Sequence, residues 1–164
     1  MLREVIASVL AIGCFASQTA AFQAPAAGAA GSPAIKACSL LSKELVAKYW
    51  GGDKRFLDGL KPQERLLGKR GSSCDYGTIG LQVDAFSTQA VDGIYKKYGK
   101  DWTPVSGVGD RAYFHNNRNR YAELMVVAGT HTLTIQMSVN SGSTAEATKP
   151  HTIEVAKAIL PKLQ

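Results

Sequence analysis

The sequence lacks the short motifs that mark common catalytic and nucleotide-binding sites. It contains no G-x-S-x-G, no H-E-x-x-H and no complete phosphate-binding loop. Its three histidines, His115, His131 and His151, do not stand at the spacing of a metal site or a catalytic triad. A catalytic site can still assemble from distant positions, so these absences do not exclude an enzyme. They favour a non-catalytic protein with no metal and no cofactor.

No apolar run is long enough to cross a bilayer. The N-terminal stretch from Val5 to Phe15 is well short of the roughly 18 residues that a spanning helix needs. It follows Arg3 and precedes the small residues Thr19 to Ala21, which suit a signal-peptidase site. We therefore predict a signal peptide over residues 1–21 and a periplasmic or secreted protein. Cys14 offers an alternative, a lipidation site that would attach the protein to a membrane.

The region after the predicted signal indicates a tether and then one domain. Residues 22–36 are rich in Ala, Gly and Pro and show no apolar period, which predicts a flexible tether before a single domain over 37–164. Loss of residues 1–21 removes one basic and one acidic residue, so the net charge stays at +6. Outside the cytoplasm this charge favours anionic envelope polymers or lipid headgroups over nucleic acid as partners.

Cysteine is scarce, with three in the whole chain. Once Cys14 is assigned to the signal peptide, Cys38 and Cys74 remain, and in an oxidising compartment they are expected to pair. The bond would join the start of the first helix to the start of the first strand and stabilise the domain by about 3–4 kcal/mol. The alternative is a reactive thiol or a metal ligand, for which the sequence offers no adjacent base or second ligand.

The first part of the domain predicts a helix, an unassigned segment and a strand. Ser42 is a good N-cap for a helix from Lys43 to about Trp50, which glycines 51–52 would end. Residues 53–72 mix six basic and three acidic residues with scattered leucines, and the pattern supports no assignment. After Cys74 the period changes to two, and residues 81–86 alternate as in a half-buried strand.

The second part predicts a helix, three strands and a final helix. Helical spacing of apolar residues over 91–98 indicates an amphipathic helix. Alternation over 111–114, 121–128 and 132–139 predicts an antiparallel meander with one face open to water, and "HNNRN" is its first turn. Pro150 suits the first turn of a final helix that would cover the other face. The predicted fold class is α+β, a single antiparallel sheet packed against short helices in the order helix–strands–helix–three-strand meander–helix.

Several short motifs resemble a known group of proteins. "ACSLLSKELVAKYWGG", "CDYG", "VSGVGDRAYF" and "VAGTHTLTIQMSV" are similar to segments of small exported or lipid-anchored bacterial α+β domains of largely unknown function. The shared pattern is C-x-L-L, then C-x-Y, then V-x-G-x-G-D, and the resemblance covers nearly all of 37–163. It implies an exported α+β domain with Cys38 bonded to Cys74, and it carries no catalytic residues. The usual lipidation cysteine is represented here only by Cys14.

The V-x-G-x-G-D motif has a second interpretation. Gly107 to Asp110 looks like a phosphate-binding loop, but the lysine and the following Ser or Thr of such a loop are missing. A turn that leads into a strand is the preferred interpretation.

Together these observations predict a non-catalytic exported binding domain that contacts an anionic envelope component or a protein partner through a basic surface. The candidate binding residues are Arg118, Arg120, Lys54, Arg55, Lys69 and Arg70. The plainer interpretation, that they belong to solvated loops, stays open. So do three other functions: an inhibitor or immunity-type protein of an envelope enzyme, a small-ligand binder, and a hydrolase that uses a histidine. The sequence does not indicate the oligomeric state.

Overall fold

A computed structural model describes residues 35–50, 53–85, 88–118, 120–140 and 142–163. The predicted signal peptide, nearly all of the predicted tether and the two glycines predicted to end the first helix lie outside these ranges. Within them, no helix combines the length and the apolar character needed to cross a membrane.

The described residues form one antiparallel sheet with short helices, which confirms the predicted fold class. The helices are α1 (Ala37–Leu40), α2 (Lys43–Tyr49), α3 (Lys54–Gly59), α4 (Thr88–Tyr98) and α5 (Ala145–Ile159). The strands are β1 (Gln63–Leu67), β2 (Gly71–Asp75), β3 (Ile79–Asp84), β4 (Trp102–Val105), β5 (Arg111–Asn117), β6 (Tyr121–Ala128) and β7 (His131–Ser138). They form a seven-stranded sheet in the order β1-β2-β3-β7-β6-β5-β4.

The predicted disulfide is present and attaches the first helices to the sheet. Cys38 and Cys74 form a bond with an S–S distance of 2.09 Å. It joins α1, a short helix that the sequence did not predict, to the second strand rather than the first. The predicted cap of α2 is confirmed, since the Ser42 hydroxyl accepts a hydrogen bond from the Leu45 amide at 3.3 Å.

The unassigned segment 53–72 forms a helix and an edge strand. Asp53 caps α3 by accepting a hydrogen bond from the Arg55 amide at 2.9 Å, and β1 follows. All five residues of β1 are exposed. A strand shows alternating apolar and polar residues only where one of its faces is buried. Because both faces of β1 are exposed, its sequence has no period of two.

The meander has four strands rather than the predicted three. The additional strand, β4, contains Pro104 and lies at the edge of the sheet, where a missing N–H is tolerated. The strand predicted at 111–114 extends to Asn117, so His115 lies in β5 and not in the turn. The turn is shorter than "HNNRN" and contains Arg118 at a φ of 52°.

The last helix starts earlier than predicted. Thr144 caps α5 by accepting a hydrogen bond from the Ala147 amide at 3.1 Å, so Pro150 lies inside the helix and not in its first turn. The cap determines where the helix begins, and the helix tolerates one missing N–H further along. A 3₁₀ turn over Leu160–Leu163, which contains Pro161, follows the helix.

The Gly107 to Asp110 segment is a turn, as predicted, and it packs on the β6–β7 hairpin. Gly109 has a φ of +59°, and a Cβ there would lie 2.5 Å from the Val127 carbonyl oxygen. The Asp110 amide donates to that oxygen at 2.8 Å, and the Asp110 carboxylate accepts from the Gly129 amide at 2.7 Å. Gly109 and Asp110 therefore serve the fold.

The two faces of the sheet are covered to different extents. One face, called here the core face, packs against α1 and α5, and its fully buried side chains include Phe114, Leu124, Leu133 and Ile135. On the opposite face, α4 covers only the β4–β6 end through a smaller apolar cluster of Val91, Met125, Val127, Trp102 and Tyr113. The predicted water-exposed face is therefore open over half of its width.

Candidate ligand groove

One row of side chains runs across this face from the edge strand β4 to β2. The strand register makes six residues successive cross-strand partners: Trp102, His115, Glu123, Gln136, Gly80 and Asp75. Directly opposed residues in an antiparallel pair point to the same face, with Cβ atoms about 5 Å apart. Residues that are far apart in the sequence therefore lie side by side.

A groove of about 280 Å³ lies over this row. Strands β2, β3, β6 and β7 contribute to it, together with the β2–β3 turn. Most of its lining is polar: Ser73, Asp75, Thr78, Gln82, Tyr121, Glu123, Thr134, Gln136 and Ser138. These side chains provide hydroxyls, amides and carboxylates, the groups that orient a small polar ligand.

Gly80 forms the floor of the groove. It stands between Gln136 and Asp75 in the row and has no side chain to fill the space above it. A Cβ at this position would meet only the Cys74 carbonyl oxygen, at 3.9 Å, which is an ordinary contact. Neither backbone strain nor crowding requires a glycine here, so its effect is to leave the groove open.

Glu123 is held in place at one end of the groove. Its Oε2 lies 3.2 Å from Nδ1 of His115, and about one-fifth of each side chain is exposed. The His115 ring stacks on Trp102, with 4.9 Å between ring centroids. The histidine lies between the indole and the carboxylate, and its contact with Oε2 orients the Glu123 side chain.

The β2–β3 end of the groove contains further polar groups. Asp75 Oδ1 accepts a hydrogen bond from the Gly77 amide at 2.5 Å, and Gln82 donates to Asp84 at 2.5 Å. Thr132 lies opposite Asp84, and its buried hydroxyl has no hydrogen-bond partner within the described ranges. Asp84 and Thr132 are buried and do not line the groove, so Asp75 and Gln82 are the polar groups of this paragraph that a ligand can reach.

The groove lining differs in charge from the molecule as a whole. It includes two carboxylates, Asp75 and Glu123, and among its described residues there is no lysine or arginine. The chain nevertheless has a net charge of +6. Arg65 is on the same face, opposite Ser73, but it belongs to the edge strand and does not line the groove. In the groove and in the rest of the described part, no three His, Cys, Asp or Glu side chains gather as they would around a metal ion.

The predicted basic residues occupy separate places. Lys69 and Arg70 lie in the turn after β1, and Arg118 and Arg120 lie in the turn after β5. These two strands run in opposite directions, so the turns that follow them lie at opposite ends of the sheet. The fold does not bring the four side chains together.

The remaining two predicted residues belong to α3. Arg55 forms an ion pair with Asp53, with 2.9 Å between the guanidinium nitrogen and the carboxylate oxygen. The Lys54 side chain lies outside the described part of the structure, although its backbone begins the helix. Arg55 is thus engaged locally.

The groove residues carry no motif that sequence reasoning could have found. Gln82, Thr134 and Gln136 appear in the sequence only as the polar side of alternating strands. Their convergence depends on β3 pairing with β7, which the sequence does not indicate. The spacing of residues within each strand is informative, but the pairing partner of each strand is not encoded locally.

The chain matches no family model, no curated protein and no solved structure. The groove is therefore interpreted from its own geometry and chemistry.

Proposed function

We propose that this protein is an exported, non-catalytic binding domain that holds an amine-bearing polar ligand in the groove. The observation that supports it best is the chemistry of the lining: hydroxyls, amides and two carboxylates, with no lysine or arginine among the described lining residues of a chain whose net charge is +6. A cationic ligand complements such a lining, whereas an anionic ligand would face two carboxylates.

The spacing of the carboxylates favours an extended ligand. Asp75 and Glu123 are three strands apart in one row, which is about 14 Å at the usual strand spacing. An ammonium group has three donors and no acceptor, so it pairs well with a carboxylate at either end. Between the two ends, the Gln136 amide can donate to or accept from other polar groups of the ligand.

Binding fits the geometry better than catalysis does. His115 is the histidine beside the groove, and it faces Glu123 and Trp102 rather than a serine, threonine or cysteine nucleophile in the described part. A hydrolase that uses this histidine needs a nucleophile within hydrogen-bond reach. The His115–Glu123 pair is still the feature that a histidine-dependent hydrolase would use, and that function is the second candidate.

Two observations support export. The disulfide is of the kind that persists in oxidising compartments, and the N-terminal sequence predicts a signal peptide. A basic surface that contacts an anionic envelope component, as the sequence suggested, is less well supported than the groove, because the basic residues lie in separate places.

A titration followed by amide chemical shifts tests the proposal. Spermine, the neutral chitin trisaccharide and polyphosphate are added in turn to the ¹⁵N-labelled protein. We expect spermine to shift the amide signals of residues 79–84 and 131–138. Glu123→Gln and Asp75→Asn should each weaken spermine binding by about threefold to tenfold, since each removes one charged hydrogen bond.

The matched control is Glu146→Gln, which removes an exposed carboxylate from α5 on the other side of the sheet. It should leave the spermine affinity unchanged. Binding of polyphosphate alone, with shifts at residues 68–70 or 118–120, would contradict the groove and support the basic surface instead.

A further inference from the structure

The two edges of the sheet differ in how well they are protected. The β4 edge has four residues and includes Pro104, which lacks an N–H donor. The β1 edge has five residues, Gln63–Leu67, without a proline, and all of them are exposed. No described strand pairs with its outer side. The β1 edge therefore presents unpaired backbone donors and acceptors, a template for an additional strand.

The side chains of β1 give this edge a defined chemistry on each face. Leu66 is 71% exposed and lies opposite Ser72, whose hydroxyl accepts a hydrogen bond from the Ala37 amide, so Leu66 is on the side of α1. Arg65 points to the groove side, opposite Ser73. The α1 side of the edge thus carries Glu64 and Leu66, and the groove side carries Gln63, Arg65 and Leu67.

The ends of β1 add positive charge. Residues 61–70 contain four basic residues and one acidic residue, all exposed. Lys61, Lys69 and Arg70 have no ion-pair partner within the described ranges. An incoming segment with negative charges would be attracted here, and one with positive charges would be repelled.

A second copy of the chain is a poor occupant. Antiparallel pairing of two β1 edges over all five residues would place the two copies' Arg65 side chains opposite each other, and a two-residue shift that centres on Glu64 would oppose two glutamates. A pairing centred on Leu66 would use only Arg65 to Leu67, because a turn begins at Gly68. Each register is either repulsive or too short.

We propose that the β1 edge binds an extended acidic segment of a partner protein, which adds to the sheet as an eighth strand. Backbone hydrogen bonds hold it to β1, apolar side chains on one face contact Leu66, and acidic side chains on the other face pair with Arg65. Lys69 and Arg70, two of the predicted binding residues, flank the end of the added strand. This surface is separate from the groove and does not depend on its ligand.

Peptide titration with amide hydrogen exchange tests the proposal. The probe is a capped peptide of alternating glutamate and valine, and its counterpart has lysine in place of glutamate. We expect the acidic peptide to slow exchange at the outward-pointing amides of residues 63–67, which are unprotected in the free protein. The lysine peptide should bind at least about tenfold more weakly, because several attractions become repulsions.

Two variants and two matched controls locate the contact. Arg65→Glu should weaken binding of the acidic peptide about fivefold to tenfold and strengthen binding of the lysine peptide. Leu66→Ser should weaken binding of both peptides. Lys96→Glu and Ile94→Ser make the same kinds of change on α4, where one residue is an exposed lysine and the other is 39% exposed. The controls should leave both affinities unchanged.

Three results would overturn the proposal. Equal affinity for the two peptides would show that charge does not select the bound segment. Protection at residues 102–105 would show that the added strand binds the β4 edge. Concentration-dependent protection of β1 without peptide would identify a second copy as the occupant. Loss of spermine binding leaves this proposal standing, so the failures of the two proposals can be told apart.

Discussion

The two halves of the open face differ in what covers them, and β6 passes through both. Under α4, Met125 and Val127 are buried and pack with Val91. Farther toward the start of the same strand, Glu123 and Tyr121 line the groove. The residues that face this side of β6 therefore change from apolar to polar at the point where the helix cover ends.

The difference shows that the open half is adapted to water or a polar ligand and is not an incomplete core. Tyr113, Met125, Thr134 and Gln82 are successive partners in one row, and the change to polar side chains falls between β6 and β7. An apolar partner would find little surface to bury there, whereas a ligand with hydrogen-bonding groups would find many partners.

The largest effect is expected from removing the disulfide that supports the open half. A Cys38→Ser/Cys74→Ser double variant releases α1 from β2, and we expect a loss of about 3–4 kcal/mol in the free energy of unfolding. Because β2 and β3 have no helix on their groove side, amide exchange should accelerate more at residues 71–75 than at residues 121–128. A uniform increase across the sheet would show that the two halves do not differ in their dependence on the disulfide.

A pair of cross-strand neighbours tests the boundary itself. Met125 is buried and Thr134 opposite it lines the groove. We expect Met125→Ala to cost about 2–3 kcal/mol, since it leaves a cavity beneath α4. Thr134→Ala should stay within about 0.5 kcal/mol, since water replaces its contacts. Chemical denaturation measures both values, and similar costs would mean that the open half is packed as tightly as the covered one.

Filling the groove should abolish ligand binding and change stability little. Gly80→Val places a β-branched side chain between Gln136 and Asp75, where a Cβ meets nothing closer than 3.9 Å. We expect the free energy of unfolding to change by less than about 1 kcal/mol, and spermine binding to be lost. Gly109→Ala serves as the contrast, because its Cβ would overlap the Val127 carbonyl oxygen and it should destabilise the fold without entering the groove.

The smallest effect is expected from a substitution between helices α2 and α5, away from both halves of the open face. The Tyr49 hydroxyl donates a hydrogen bond to Glu154 Oε2 at 2.6 Å. This bond is the main reason that the pKa of Glu154 lies below its ordinary 4.5, and nearby positive charges lower the pKa further. A lowered pKa contributes stability above pH 4.5 that is lost as the pH falls below it. In Tyr49→Phe the pKa should rise, which carbon-detected NMR titration of the carboxyl group would record, and groove binding should not change.

The sequence was most informative where one side of an element is buried. Ser42 predicted the start of α2, alternation predicted β3, β6 and β7, and the pair Cys38 and Cys74 predicted the disulfide. Each of these signals is local, or, for the cysteines, follows from a small number of possible partners. The helix that covers the core face was also predicted, although not its first residue.

The elements that sequence reasoning missed are those without a buried side or with an overriding cap. β1 is exposed on both faces and β4 contains Pro104, so neither shows a strand pattern. Thr144 determined the start of α5 more strongly than Pro150 did. The groove was missed because it arises from the register between strands that are far apart in the chain, and no property of a single strand reports that register.

The pairing of β3 with β7 has a consequence for how the molecule is made. Synthesis delivers the chain from its N-terminus, and β7 is the last strand to emerge, after the helix α4 and three other strands. Until then the two blocks of strands cannot join, and each contributes only one wall of the groove. Ligand affinity should thus arise only when β7 has paired with both β3 and β6, and a ligand that binds at that moment would stabilise the completed sheet.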